Sequence, residues 1–466
     1  MIDGAPVIDA DSHKCENPVF FFDYIPKPHR DRVSLIRDRY GEQRFCFRDF
    51  DPNTGRCDAL RVFLQIEGYG KGTYRPYHPE TTIGGLFNHV RIEHMDREGI
   101  DHQMIYGSIP LAFASLCDTE LAVALCRAWN DYICDDTRPY ADRLHPVGVL
   151  PLQDPAEAAA EARRCVLELG MAGVTLAPNQ PVPHPDAPDR FPAIRVPKPL
   201  SHPDFHPIYE TCQSLDVAIG LHGAPGVQLA GGTSDQLDTF TLVHVFANRS
   251  MQQMALAKLI FDGVFEAFPR LRFGFLEAGA GWLPDLMHAL HEHWEKRIAR
   301  FDPSVEPSPL AFLRELARER GARGTLALLS HARRAISTLD PSGECASDAE
   351  LEAFRYEHPA LRRDPMETLA EGRIFLTIEP DDPCPPYLAS ALGAPGERVA
   401  GLAVDYGHWD ATLEGCVGLV ADNPAISRDH AVRLLSSNAL DFYGARLRSR
   451  FRVRGEERPA PREAVR

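Results

Sequence analysis

The sequence contains no run of roughly 18 consecutive apolar residues, so no membrane-spanning helix is expected. Met1 to Pro6 carries neither a basic cluster nor an apolar core, and no secretory signal is read there. No Cys-x-x-Cys pair occurs. The 11 cysteines are odd in number and scattered, which reads as reduced thiols and a cytoplasmic protein. No Gly-x-Gly-x-x-Gly follows an apolar run, which removes the fingerprint of an open dinucleotide-binding sheet. Positive charge is scarce: 50 Lys and Arg face 66 Asp and Glu, a net charge of −16. That excludes bulk nucleic-acid binding and attraction to an anionic membrane surface. What remains is an ordinary globular composition, 44% hydrophobic and 25% charged over 466 residues, enough for a large core. The 39 prolines and 34 glycines suffice to punctuate many short elements.

Eight short apolar runs recur: Pro6–His13, Gln103–Ser108, His145–Pro151, Ala172–Pro178, Val217–Gly223, Arg272–Gly279, Arg373–Glu379 and Gly401–Asp405. Each is followed by loop residues, as buried parallel strands are. Helical patterns lie between them: Asp154–Gly170, with Pro at its second position and a Gly stop, then Ser250–Phe268, Trp282–Arg300 and Arg428–Leu440. Strands alternating with helices predict an α/β fold, a (β/α)8 TIM barrel, as one domain over residues 1–445. Two inserts are expected on its catalytic face. One covers about residues 17–80, with aromatic clusters such as Phe20-Phe-Phe-Asp-Tyr24 and the turn Asp51-Pro-Asn-Thr-Gly55. The other covers about 302–371, with helices Ser308–Arg320, Ala322–Thr338 and Ser347–Tyr356. Residues 446–466, with eight Arg, three Glu and two Pro, read as a basic mobile tail.

Polar residues stand at the ends of these runs. Asp11 and His13 end the first, two apart, so both project the same way from an extended strand. His222, Glu277, Glu379 and Asp405 end the fifth to eighth. A barrel gathers such ends at one mouth, where imidazoles and carboxylates suit a divalent metal. Without a cation the carboxylates repel one another. His293 falls on the apolar face of the helix after the sixth run, as a core histidine, a second-metal ligand or a partner of Glu277. His244 and His408 are further candidates for the mouth, His408 by orienting Asp405 or binding substrate. Glu16 is expected to fix the loop after the first strand.

Asp9-Ala-Asp-Ser-His13-Lys-Cys-Glu16, Leu221-His-Gly223, Phe268-Pro-Arg-Leu-Arg-Phe-Gly-Phe-Leu-Glu-Ala-Gly-Ala-Gly-Trp-Leu-Pro284, Asp405-Tyr-Gly-His-Trp-Asp410 and Ser436-Ser-Asn-Ala-Leu-Asp-Phe-Tyr443 together resemble the amidohydrolase superfamily. The branch is that of the aminocarboxymuconate-semialdehyde and resorcylate decarboxylases, and the likeness runs from about residue 5 to 445. Those decarboxylases carry His where this chain has Glu277, and their His-x-His opening is here Asp11-Ser-His13. The carboxylate-rich variant resembles TIM-barrel non-heme diiron monooxygenases, whose named member hydroxylates a diterpenoid in antibiotic biosynthesis. That resemblance implies two iron ions, with dioxygen as co-substrate and an external electron donor. Asp11, His13, His222 and Asp405 would hold one iron; Glu277, His293 and Glu379 would hold or bridge to the other. Asp405, Glu277 and His408 would act in catalysis. The implied substrate is bulky and hydrophobic, possibly carried as a CoA thioester, for which Arg37, Arg39, Arg61 and Arg75 are basic candidates. A homodimer is also implied.

A second reading stays open: a mononuclear hydrolase or non-oxidative decarboxylase of the same superfamily, with one Zn or Mn and with Asp405 as base. A third is a barrel that binds a ligand without chemistry.

Overall fold

In the computed structural model, eight parallel strands follow one another around a single sheet in chain order. The structure describes residues 1–37, 43–63, 79–185, 187, 189–190, 193–223, 237, 239–299, 309–330, 361–408 and 411–450. The strands are β1 (Ile8–Lys14), β2 (His102–Gly107), β3 (Leu144–Val149), β4 (Gly173–Leu176), β5 (Ala218–His222), β6 (Phe273–Leu276), β7 (Ile374–Ile378) and β8 (Ala400–Leu402). Every residue in them is buried, which explains why they read as near-continuous apolar runs. A helix follows each strand: α1 (Asn88–Glu98), α2 (Thr119–Thr137), α3 (Pro155–Leu167), α4 (His206–Ser214), α5 (Phe240–Phe261), α6 (Leu283–Trp294), α7 (Pro385–Leu392) and α8 (Asn438–Tyr443). This is a nearly closed (β/α)8 barrel, as the alternation predicts. Closure comes from the segment after β8. Asp405 N donates to Asp11 O at 3.1 Å, and His13 N donates to Tyr406 O at 2.7 Å.

Inside the barrel, Ile8, Ala10, Met104, Tyr106, Val147, Leu276 and Phe375 pack against Phe442 and Tyr443 of α8. Phe375 and Phe442 stack with centroids 4.6 Å apart. Full burial of each aromatic ring contributes roughly 1.5–3 kcal/mol. The interior is therefore a plugged core, and only the mouth at the strand C-termini is left for chemistry.

A bulge in β1 decides what reaches that mouth. Asp9 pairs with Gln103 but Ser12 pairs with Ile105, so β1 carries one residue more than β2 across this span. Ile8 and Ala10 face the interior core. Ser12 turns outward to Arg91 of α1, 3.1 Å from its Nη1. The extra residue lets Asp11 and His13 both face the centre.

Several helix bounds differ from expectation. The helix expected from Ser250 begins at Phe240, because Thr239 accepts from Leu242 N as its cap. The one expected from Trp282 to Arg300 is α-helical only to Trp294, with a π turn over Glu295–Ala299. Arg428–Leu440 is divided by a π turn at Arg433–Ser437. Asp154 caps α3 as expected, accepting from Ala156 N and Glu157 N.

The first insert holds an antiparallel sheet that no alternation in the sequence announced: Val33–Arg37, Gln43–Asp51 and Arg56–Phe63. Its Phe45 and Phe47 pack on Phe21 and Phe113. The Asp51–Gly55 turn is present, with Gly55 N donating to Asp51 O. In the second insert a helix runs Pro309–Ser330, broken at Gly321 between the two helices expected there. Thr338, the helix Ser347–Tyr356, Arg39 and Arg75 lie outside the described residues. The tail does not start at Arg446: Ala445–Arg448 is helical, Leu447 is buried, and Arg446 Nε donates to Leu215 O at 2.7 Å. Among the described residues no helix is long and apolar enough to cross a membrane.

Candidate metal centre

His13 at the end of β1 and His222 at the end of β5 face each other, with Nε2 atoms 3.1 Å apart. Asp11 Oδ1 lies 3.5 Å from His13 Nε2, and Asp11 Oδ2 lies 3.8 Å from His222 Nε2. Asp405 Oδ1 is 3.5 Å from His13 Nε2, and Glu277 Oε2 is 3.5 Å from His222 Nε2. Ligands about 2.1 Å from a divalent ion are about 3.0–3.5 Å from one another across octahedral or tetrahedral edges, so this spacing fits one cation. The buried Asp11 Oδ1 and Glu277 Oε2 accept no hydrogen bond, which is the state of atoms built to face a cation. The His222 tautomer fits as well: its Nδ1 donates to Gly223 O at 2.7 Å, leaving the Nε2 lone pair toward the centre.

The electrostatics point the same way. Burial, then the charges of Asp405 and Glu277, push the Asp11 carboxyl well above its usual range. Burial, with His408 and His222 nearby, drives His13 well below the usual imidazole value, and burial lowers His222. For Glu277 desolvation opposes ionisation, yet His244, His222 and His408 outweigh it and hold the carboxyl at about 2. A cluster of buried imidazoles and mutually repelling carboxylates gains from a divalent cation.

Two of the carboxylates are aimed by backbone that L-residues rarely adopt. Glu277 has φ +52° and Asp405 φ +56°. Strain of this kind persists only where surrounding bonds over-determine it. Glu277 N donates to Thr377 Oγ1 at 3.0 Å, and Asp405 N is held by Asp11 O. After Asp405, Gly407 takes φ +105°, with His13 O 2.6 Å from where a Cβ would sit. Only glycine lets the loop pass there, and it folds His408 back over the site. His408 Nδ1 lies 2.7 Å and 2.8 Å from the Asp405 oxygens, and its ring stacks on His13 at 3.9 Å.

The remaining expectations divide. Glu16 is buried away from the centre, accepting from Ser108 N (2.9 Å) and Trp129 Nε1 (3.0 Å); it ties the loops after β1 and β2. His244 reaches the edge of the site, 3.8 Å from Glu277 Oε1. His293 does not join it. The buried stripe of α6 runs through Leu283 and Met287, while His293 is exposed and its Nδ1 bonds Ala289 O of its own helix. Glu379 does not join it either. The chain turns at the end of β7, with Asp382 N donating to Glu379 O, and the Glu379 side chain is exposed. Among the described residues, the groups with metal-holding geometry are Asp11–His13–His222 and His13–Asp405–His408. Sequence reasoning missed Ser108 and Arg91. Ser108 Oγ lies 3.3 Å from His408 Nε2, and Arg91 Nη2 bonds His13 O. Arg91 has no local signal, since it acts through a strand far away in the chain, whereas Ser108 has the strand-end signal, because it closes the run Gln103–Ser108.

Comparison with known proteins agrees with the barrel. A model of the amidohydrolase family matches residues 107–322. The chain is 26% identical over 193 residues to 2-amino-3-carboxymuconate-6-semialdehyde decarboxylase of Dictyostelium discoideum, covering 41% of this chain and 48% of that protein. It is 26% identical over 214 residues to gamma-resorcylate decarboxylase of Rhizobium radiobacter, covering 46% and 62%. The chain thus spans about half to three-fifths of the length of the curated relatives it matches. A solved amidohydrolase from Mycobacterium avium subsp. paratuberculosis superposes with TM-score 0.60 at 17% identity, covering 95% of this chain and all of that one. A 5-carboxyvanillate decarboxylase from Novosphingobium aromaticivorans, solved with bound manganese, superposes with TM-score 0.57 at 17% identity over 94% and 97%.

These findings support the resemblance to the amidohydrolase family of decarboxylases and correct its finer branch. These two curated relatives are decarboxylases, and a neighbour of the same fold was solved with bound manganese. The expected diiron monooxygenase is overturned, and with it the oxidoreductase assignment and the role in antibiotic biosynthesis. Two irons and dioxygen fall as well, and the relatives give no support to an electron donor or a CoA thioester. The geometry agrees, because His293 and Glu379, both needed for a second iron, lie outside the cluster.

Proposed function

We propose that this chain is a metal-dependent, non-oxidative decarboxylase acting on a small aromatic or conjugated carboxylic acid, with one divalent cation, manganese or zinc. The observation that carries the reading is the facing pair His13–His222, 3.1 Å apart, with the Asp11, Asp405 and Glu277 oxygens at 3.5–3.8 Å. The relatives' activities give it its direction.

Asp11, His13, His222 and Asp405 would hold the cation, with Glu277 beside them. When bound, the cation supplies positive charge that holds a substrate carboxylate or hydroxyl oxygen and draws electron density from the bond that breaks. The protein's own groups manage the proton. Ser108 Oγ donates to Lys14 O, which can only accept, so its lone pair takes the proton of His408 Nε2. His408 Nδ1 then faces Asp405 with a proton between them. As the carbon–carboxylate bond breaks, its electron pair stays on the carbon and CO2 leaves. The proton from the Asp405–His408 pair joins that carbon, and the substrate's acid proton restores the pair. Glu277, held ionised beside His244, repels a second carboxylate, which orients the acid away from it.

Glu277 also favours a second reading, hydrolysis or hydration. It stands where the decarboxylases carry histidine, and an ionised carboxylate is a base for water. The products separate the two. Protein loaded with Mn2+ and incubated without oxygen is expected to release CO2 from 2,6-dihydroxybenzoate or a related hydroxy-aromatic acid. A panel of such acids returned intact would overturn the decarboxylase reading.

A further inference from the structure

We propose that Asn248, braced by Gln252 one turn along α5, is a positioning residue that sets both His222 and Glu277, so that cation binding at the barrel mouth depends on it. The inference rests on reading that mouth as a cation site.

His244, Asn248 and Gln252 recur every four residues and so share one stripe of α5. The last two are buried at 2% and 0% exposure. Asn248 Nδ2 donates to Glu277 O at 2.6 Å. Gln252 Nε2 donates to Leu276 O at 2.6 Å and to Asn248 Oδ1 at 2.8 Å. These bonds fix the Asn248 amide one way round, since only its nitrogen can serve the Glu277 carbonyl and only its oxygen can accept from Gln252. Together with Thr377 on the amide side, they hold both backbone polar groups of Glu277, the residue with φ +52°. That conformation is what turns the carboxylate toward His222 Nε2.

The same amide stands behind His222. A Cβ on Gly223 would lie 2.0 Å from Asn248 Oδ1, so the chain leaving β5 passes directly against it. Gly223 O is the acceptor that fixes the His222 tautomer. One side chain therefore packs against the glycine whose carbonyl orients an imidazole, and bonds the backbone that aims a carboxylate. Partners of this kind, behind the ligands, commonly set metal affinity.

The test measures the Mn2+ dissociation constant of the full chain, by the spin-resonance signal of free Mn2+, beside the unfolding midpoint of the metal-free protein. Asn248→Ala is expected to raise the dissociation constant about 10–100-fold. Asn248→Leu, which keeps the branched shape and loses both hydrogen bonds, should do the same and stands in if the alanine variant does not fold. Gly223→Ala should weaken Mn2+ binding in the parent yet add less than about twofold in the Asn248→Ala background, where the oxygen it strikes is gone. A dissociation constant within about twofold of the parent in both Asn248 variants, or full additivity with Gly223→Ala, overturns the proposal. If the parent binds no Mn2+, the cation-site reading fails, and a crystal structure of Asn248→Ala decides the positioning claim. Glu277 leaving φ near +52° supports it, and Glu277 unmoved overturns it.

Discussion

Among the described residues, two buried histidine pairs meet nitrogen to nitrogen, one at each end of the barrel, and carboxylates ring only one of them. At the C-terminal mouth His13 and His222 approach to 3.1 Å. At the opposite end His102 Nδ1 and His145 Nε2, at the starts of β2 and β3, also lie 3.1 Å apart. Burial pushes all four imidazoles down: His102 to about 4, and His145 and His13 well below the usual value. The difference lies in the company. Asp11, Asp405 and Glu277 ring the upper pair, and among the described residues only that pair enters clusters of metal-holding geometry. The lower pair bonds ring to ring within the packed floor. On the proposed reading, it is the surrounding carboxylates that make one histidine pair a cation site. In a barrel those gather where loops leave the strands, while the other end serves stability.

The largest effect expected is at the upper pair. His222→Ala or Asp405→Ala should weaken Mn2+ binding at least about 100-fold and abolish turnover while circular dichroism stays that of the parent. Full metal content in both variants would remove the basis of the comparison. At the lower pair the outcome should invert. His145→Ala should leave metal content unchanged but cost about 1–3 kcal/mol in denaturant unfolding, because His102 loses its buried partner. Loss of metal there would sink the claim that the two ends have separate roles.

The lower pair also predicts a pH dependence. The folded His102 value, about 4, lies below its ordinary 6.5, so the unfolded chain binds more protons as pH falls. Its stabilisation is complete above about 6.5 and declines as pH drops toward 4, by up to about 3 kcal/mol. Urea midpoints measured across that window should show the slope, and His102→Phe should make it shallower. A parent whose midpoint is level from pH 7 to about 4 would contradict the assignment. The smallest effects belong to His293→Ala and Glu379→Ala. Both are exposed, so metal content should not change and stability should stay within about 0.5 kcal/mol. Metal loss in either would return that residue to the site.

Why some of this could be read from the sequence and some could not follows from range. The eight strands were legible because each is buried on both faces and so reads as an apolar run bounded by loop residues. Asp11, His13, His222, Glu277 and Asp405 were legible because each stands at the end of such a run. His293 misled because the apolar arc of α6 is wider than its buried stripe, and position 293 falls inside the arc but outside the stripe. Glu379 misled because a turn, not a strand, carries it. The sheet of Val33–Arg37, Gln43–Asp51 and Arg56–Phe63 was missed because its strands do not alternate cleanly.

By itself the sequence determined the alternation of strands and helices, and hence the barrel, together with the kinds of ligand at its mouth. Burial and strand-end position are local properties, written within a few residues. The tertiary structure alone decided which way those ligands point. The bulge in β1, the left-handed backbones of Glu277 and Asp405, and the fold-back of His408 over His13 each depend on bonds to residues distant in the chain. Asp405 N to Asp11 O and Asn248 Nδ2 to Glu277 O are two of them. Such bonds exist only once the barrel has closed.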